Sequence, residues 1–139
     1  MLARFFDDKR GDMAEAAIVL PIISLLIAAL ISVAMAAWTA NTANHIAQRA
    51  ARVASVTQGT AADRSAIAVS TANSLAANFG YGTYTTTVVR GGSQAGDVVI
   101  VQVNWAAPNW FRGFAILYPG LLDRDFSGQA TAAFRVEGW

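Results

Sequence analysis

The 139-residue chain has no cysteine, a single histidine and few charges. Charged residues make up 14%, against about a quarter in an ordinary soluble domain. Without cysteine there are no disulfides, thiolate zinc sites, iron–sulfur clusters or cysteine nucleophiles. Export stays open, for a domain that folds without covalent staples. With His45 alone, multi-histidine metal sites are excluded too. The net charge of +1 supplies no counterion-release term, so no nucleic-acid partner is expected. Hydrophobic residues reach 55%, which excludes a disordered chain. So apolar and uncharged a composition indicates a membrane-associated structural protein rather than a soluble enzyme, and no cofactor is expected.

The charges are unevenly spread. Arg4, Lys9 and Arg10 stand against Asp7, Asp8, Asp12 and Glu15, and then no Asp, Glu, Lys or Arg occurs from Ala16 to Gln48. The apolar part, Ala16–Ala40, would make roughly 37 Å of helix, enough to cross a hydrocarbon core of about 30 Å with some tilt. Pro21 lies inside it, where it removes one backbone bond and predicts a kink near Ala17. Arg49, Arg52 and Arg64 follow the span, so charge discriminates weakly between orientations. A cleavable signal peptide is the competing explanation, with Ala34-Met35-Ala36 as a small-x-small site. The net negative leader, the length of the run and the helical composition beyond it weigh against cleavage there.

From Trp38 to Thr57 there is no Gly or Pro. His45, Arg49 and Arg52 share one face, and Ile46, Ala50 and Val53 the opposite one. A single helix is therefore predicted over about 12–57, spanning the membrane over about 16–40. Gly59 ends it, and Thr60-Ala-Ala-Asp63 reads as a capping box opening a second helix over 61–79, with Ala68, Ala72, Leu75 and Phe79 on one face and Gly80 as its stop. So short a turn predicts a helical hairpin.

Strands are predicted at 83–90, 97–105 and 128–137, the first two joined by a mobile Gly/Ser loop at Gly91–Gly96. Val99, Val101, Val103 and Trp105 alternate along the second; Ala130, Ala132, Phe134 and Val136 alternate along the third. The expected fold is α+β: a long N-terminal transmembrane helix continuing into an amphipathic one, a second helix packed as a hairpin, and a small three-stranded antiparallel sheet covered by the pair. The chain divides into a leader-like segment 1–11, the long helix 12–57 and a C-terminal domain 60–139. Between the last two strands, Ala106–Asp125 carries eight large apolar residues. Two explanations compete, a lid on the core and a sticky surface. A division between them is expected, with Ile116, Leu117 and Leu121 inward and Trp110 and Phe111 outward against a neighbouring subunit or the membrane surface.

Two features point to assembly. Ser24, Ala28, Ser32, Ala36, Ala40 and Asn44 recur every four residues, a small-residue ridge that would let helices approach closely; in so Ala-rich a segment, chance also produces such rows. Glu15 places a carboxylate at the edge of the apolar span, which is costly unless it finds a cationic partner, snorkels, or is favoured by the helix dipole. Catalysis has little to stand on. No nucleophile elbow or phosphate loop occurs, and His45 lies among Asn41, Asn44 and Gln48 as a solvated residue would.

The segment Arg10-Gly11-Asp12-Met13-Ala14-Glu15-Ala16-Ala17-Ile18-Val19-Leu20-Pro21 resembles the start of TadE-like proteins, pilin-like subunits of tight-adherence systems within the type IV pilus superfamily. The Glu-to-Pro spacing of six, the Ala/Arg-rich extension at Ala47–Val53, the Val-alternating strand and the ending Phe134-Arg135-Val136-Glu137 carry the likeness. It implies a non-enzymatic structural subunit, held in the cytoplasmic membrane by a single pass with its N-terminus inside. From there it would polymerise through its N-terminal helix, including Pro21, into an adhesive helical filament. Implied partners are further copies, related pilin-like subunits, the assembly platform and a prepilin peptidase cutting between Gly11 and Asp12. Glu15 would then meet the freed amino terminus of a neighbour, or its Lys9 or Arg10 if the leader stays. In one respect the chain departs from the pattern. The Glu usually comes fifth after the Gly, and here it comes fourth.

Overall fold

The computed structural model describes residues 2–114 and 124–138. Helix α1 runs unbroken from Leu2 to Val56, so the leader-like segment and the apolar run share one element, which begins ten residues earlier than the composition suggested. Pro21 lies within it. Helix α2 spans Ala61–Ala77 and opens with the expected capping box, the Thr60 hydroxyl accepting from Asp63 N and the Asp63 carboxylate from Thr60 N.

Its other end departs from expectation. The helix stops at Asn78 in ordinary right-handed geometry, not at a left-handed Gly80. Bonds from Asn78 N to Leu75 O and Phe79 N to Ala76 O tighten the last turn, and the Asn78 side chain donates to Ser74 O at 3.1 Å. Those contacts satisfy carbonyls that a glycine cap would otherwise have served.

Strands β1 (Thr83–Arg90), β2 (Val98–Ala107) and β3 (Phe126–Arg135) form an antiparallel meander in that order. β2 and β3 pair without interruption from Val98↔Arg135 to Ala107↔Phe126, and the β1–β2 register shifts once, between Val88 and Arg90. The inward set is the alternating one, with Val99, Val101, Val103, Ala130 and Ala132 buried and Val136 joining them just past β3. α1 lies over β2 and β3, and α2 over β1. Ala43, Ile46, Ala47, Ala50, Ala51 and Ala54 press onto the sheet, with Ala68 and Ala72 from α2. Small side chains on both helices bring the backbones close and leave a thin core in which Ile46 and the three valines are the largest fully buried side chains among the described residues.

The β1–β2 connection, read as mobile, is tied down instead. The Asp97 carboxylate accepts from Ser93 N (2.9 Å), Ser93 Oγ (2.7 Å) and Gln94 N (3.2 Å). Arg64, buried on α2, donates from Nη1 to Gly92 O at 2.9 Å and from Nε to Thr57 O at 3.0 Å. One guanidinium thus joins the end of α1, the start of α2 and the hairpin loop.

Candidate anchoring and assembly surface

The two halves of α1 have opposite surroundings. Beyond Thr42 its inner face is fully covered by the sheet and α2, while His45, Arg49 and Arg52 remain exposed on the other side. Between Glu15 and Trp38 the helix carries no charge on any side, with Ile18, Leu20, Ile22, Leu26, Leu30 and Val33 each about 60% or more exposed. It is the one helix among the described residues long and apolar enough to cross a membrane. Side chains this apolar on every side of a helix belong in lipid or among other helices.

Glu15 is exposed at the start of that naked stretch. Gly11 and Asp12 fall within α1, and the surroundings of their side chains lie outside the described ones. Pro21 is exposed, and Ser24, also exposed, donates from Oγ to Leu20 O at 2.8 Å one turn back. Ala28 is half-buried, Ser32 fully buried, Ala36 and Ala40 half-buried, and Asn44 exposed. The six therefore do not make one face. A step of four residues turns about 400°, so the row drifts some 40° each time and winds halfway round the helix. Its middle, Ser32–Ala40, turns toward the chain's own body, and its start, Ser24, turns away. The Ser32 hydroxyl has no hydrogen-bond partner among the described residues.

A 3-10 turn, Trp110–Phe114, follows β2 and packs on α1. Trp110 is 63% exposed, as expected, whereas Phe111 is half-buried. Ile116, Leu117 and Leu121 lie outside the described residues. Sequence reasoning missed Asn109, which is buried and fixes this turn. Its N donates to Asp125 Oδ1 (3.2 Å) and its Nδ2 to Arg124 O (3.1 Å), while its Oδ1 accepts from Phe111 N (3.0 Å). The signal available was an Asn after Pro108, a residue type that bonds to nearby backbone. His45, Arg49 and Arg52 rim a groove of about 740 Å³ floored by Ile46, Val53, Leu75 and Phe134. No group of three or more His, Asp or Glu that could hold a metal occurs among the described residues.

Two carboxyls outside the span titrate low. Hydrogen bonds from the Thr60 backbone and hydroxyl hold Asp63 below the usual carboxylate range. The hydroxyl and N–H of Ser93, with Gln94 N, do the same for Asp97.

Comparison with known proteins bears on α1. Residues 13–52 match the family model of TadE-like proteins. No curated protein and no solved structure matches the chain. The matched stretch starts two residues before Glu15, takes in the whole naked apolar run and ends on the packed half at Arg52. Over that segment the chain is similar to TadE-like proteins, a family associated with the Tad pilus.

Proposed function

We propose that the chain is a pilin-like structural subunit of a Tad-type pilus, polymerising through the N-terminal half of α1 into a surface filament that serves adhesion. The observation that supports this best is the division of one helix. Its second half is the spine of a folded domain, and its first half extends from that domain with its large apolar side chains exposed. Before assembly the projecting half sits in the cytoplasmic membrane with the N-terminus inside. In the filament the same surface is covered by copies of itself and by related pilin-like subunits brought in by the assembly platform. The leader, residues 1–11, is cut by a prepilin peptidase after Gly11 or kept; in either case Glu15 faces a neighbour's positive group. C-terminal residues 60–139 form the exposed domain. No catalytic step is assigned to any residue.

The lack of cysteine makes a direct test simple. With Ser24→Cys as the only thiol, mild oxidation of intact cells should cross-link neighbouring subunits, and the cross-linked species should be released by shearing. A chain that stays monomeric in the membrane fraction would instead be a membrane-anchored accessory module of the apparatus.

A further inference from the structure

We propose that the globular part of this chain carries a membrane-seated element of its own, the 3-10 turn Trp110–Phe114, with Trp110 lying in the lipid headgroup layer beside Trp38 of α1. The proposal rests on the membrane anchoring of α1 and not on polymerisation. It follows from where the sheet stands along the helix. At one end Glu137 N donates to Ser55 O at 3.2 Å, level with the last turn of α1. At the other end Gly82 lies against Thr39. A Cβ on Gly82 would sit 2.7 Å from Thr39 Cγ2 and 3.1 Å from Ala106 O, and its φ of +81° suits glycine alone. Ala106 pairs with Thr83, so the end of β2 and the start of β1 both stand level with Thr39. Thr39 is one residue short of the end of the charge-free apolar run at Ala40. The lower edge of the sheet therefore already reaches the membrane boundary.

The chain leaves β2 heading further that way and forms the 3-10 turn on α1. α1 is also covered on one side further toward its N-terminus. Seven residues before Thr39, or about 10 Å along the axis, Ser32 is only 2% exposed, while its neighbours Ile31 and Val33 are 47% and 60% exposed. That one-sided burial sets Ser32 apart from the exposed apolar side chains around it.

Trp110 is held out from this region on a fixed support, because Asn109 bonds the turn to the start of β3. It is 63% exposed, and Trp38, one residue from Thr39, is 61% exposed. Tryptophan favours the headgroup level, where the ring is half solvated and the N–H finds a partner. Two exposed tryptophans on separate elements, both set at the end of an apolar span, match a bilayer boundary better than a second copy of the chain. Before assembly that level of α1 is surrounded by lipid headgroups, whereas a second copy reaches it only in the filament.

Spin labelling tests this on the full chain in phosphatidylcholine/phosphatidylglycerol vesicles. Nitroxides are placed at Trp110→Cys, at Trp38→Cys as the helix reference and at Gln58→Cys as the aqueous reference, each variant first shown to keep wild-type helix content. Access to oxygen, which concentrates in lipid, is compared with access to a water-soluble nickel chelate. The proposal expects the oxygen-to-nickel ratio at position 110 to exceed that at 58 severalfold and to approach that at 38. A ratio at 110 equal to that at 58, with 38 in lipid, overturns this inference and leaves the anchor standing. A label at 110 shielded from both reagents overturns it in favour of a protein contact. Aqueous labels at both 38 and 110 overturn the anchor and this inference together.

Discussion

Arg64 shows how a single residue can hold several elements together. It lies on the α2 face that carries Ala68 and Ala72, four and eight residues on, and the carbonyls that receive it come from the end of α1 and from the hairpin loop. The end of α1 also carries the negative pole of the helix dipole, which favours a cation there. Replacing Arg64 by Met strips two charge-assisted bonds and should cost about 1.5–3 kcal/mol, with Arg64→Lys falling between; thermal unfolding followed by circular dichroism in detergent measures both. Asp63 and Asp97 predict the behaviour in acid. Both titrate lower in the folded chain than in the unfolded one, so their contribution is complete at neutral pH and is lost as pH falls below the ordinary carboxylate value of 3.8. The unfolding temperature of the wild type should therefore drop more steeply below about pH 4 than that of an Asp63→Asn/Asp97→Asn variant, and parallel curves would count against the caps. At the other end of the molecule, Glu15→Leu should block recruitment into filaments while Glu15→Asp is partly tolerated. Removing one member of a buried charge pair typically costs several kcal/mol, and normal piliation by the Leu variant would leave only the dipole or a snorkelled carboxylate.

Element by element, the sequence was most readable where one physical requirement dominated. The gap in charge from Ala16 to Gln48 could only be a long helix, and the valine alternation at 99, 101 and 103 could only be a one-sided strand. The capping box at Thr60 and Asp63 was equally plain. What escaped were contacts between distant residues. In the sequence Arg64 is one more charge following the span, and only the packing of α2 shows that its spacing from Ala68 and Ala72 puts it on the buried face. Glycines in the 91–96 loop suggested mobility, but the bonds gathered by Asp97 and Arg64 are invisible without the fold. The small-residue row reads as one ridge along the sequence, but the helix turns it by about 40° at each step. That drift changes what a packing experiment should use. Ala28 and Ala36 are both half-buried while Ser24 is exposed, so Ser24→Leu is the cleaner probe of helix-to-helix contact. It should leave membrane level and fold unchanged and lower filament yield, whereas Ala47→Leu, at a fully buried contact between helix and sheet, should destabilise the domain by about 1–3 kcal/mol. Immunoblots of membrane and sheared fractions separate the two outcomes.

For the whole molecule, one continuous helix links a folded domain to an exposed apolar stretch. A thin alanine-rich core fastens the sheet to the second half of α1, so the first half is carried as a fixed extension rather than on a linker. Such an extension can exchange lipid for neighbouring helices with little change in the domain behind it, because both environments are dry and apolar. Filament formation through that exchange is the centre of the proposal. The most direct measurement is electron cryomicroscopy of material sheared from cells that express this chain with a C-terminal epitope. The account predicts filaments labelled along their length, with the first halves of α1 bundled at the axis and the sheet domains outside. Labelled chain confined to the membrane as monomers, with unlabelled filaments or none in the sheared fraction, would contradict it.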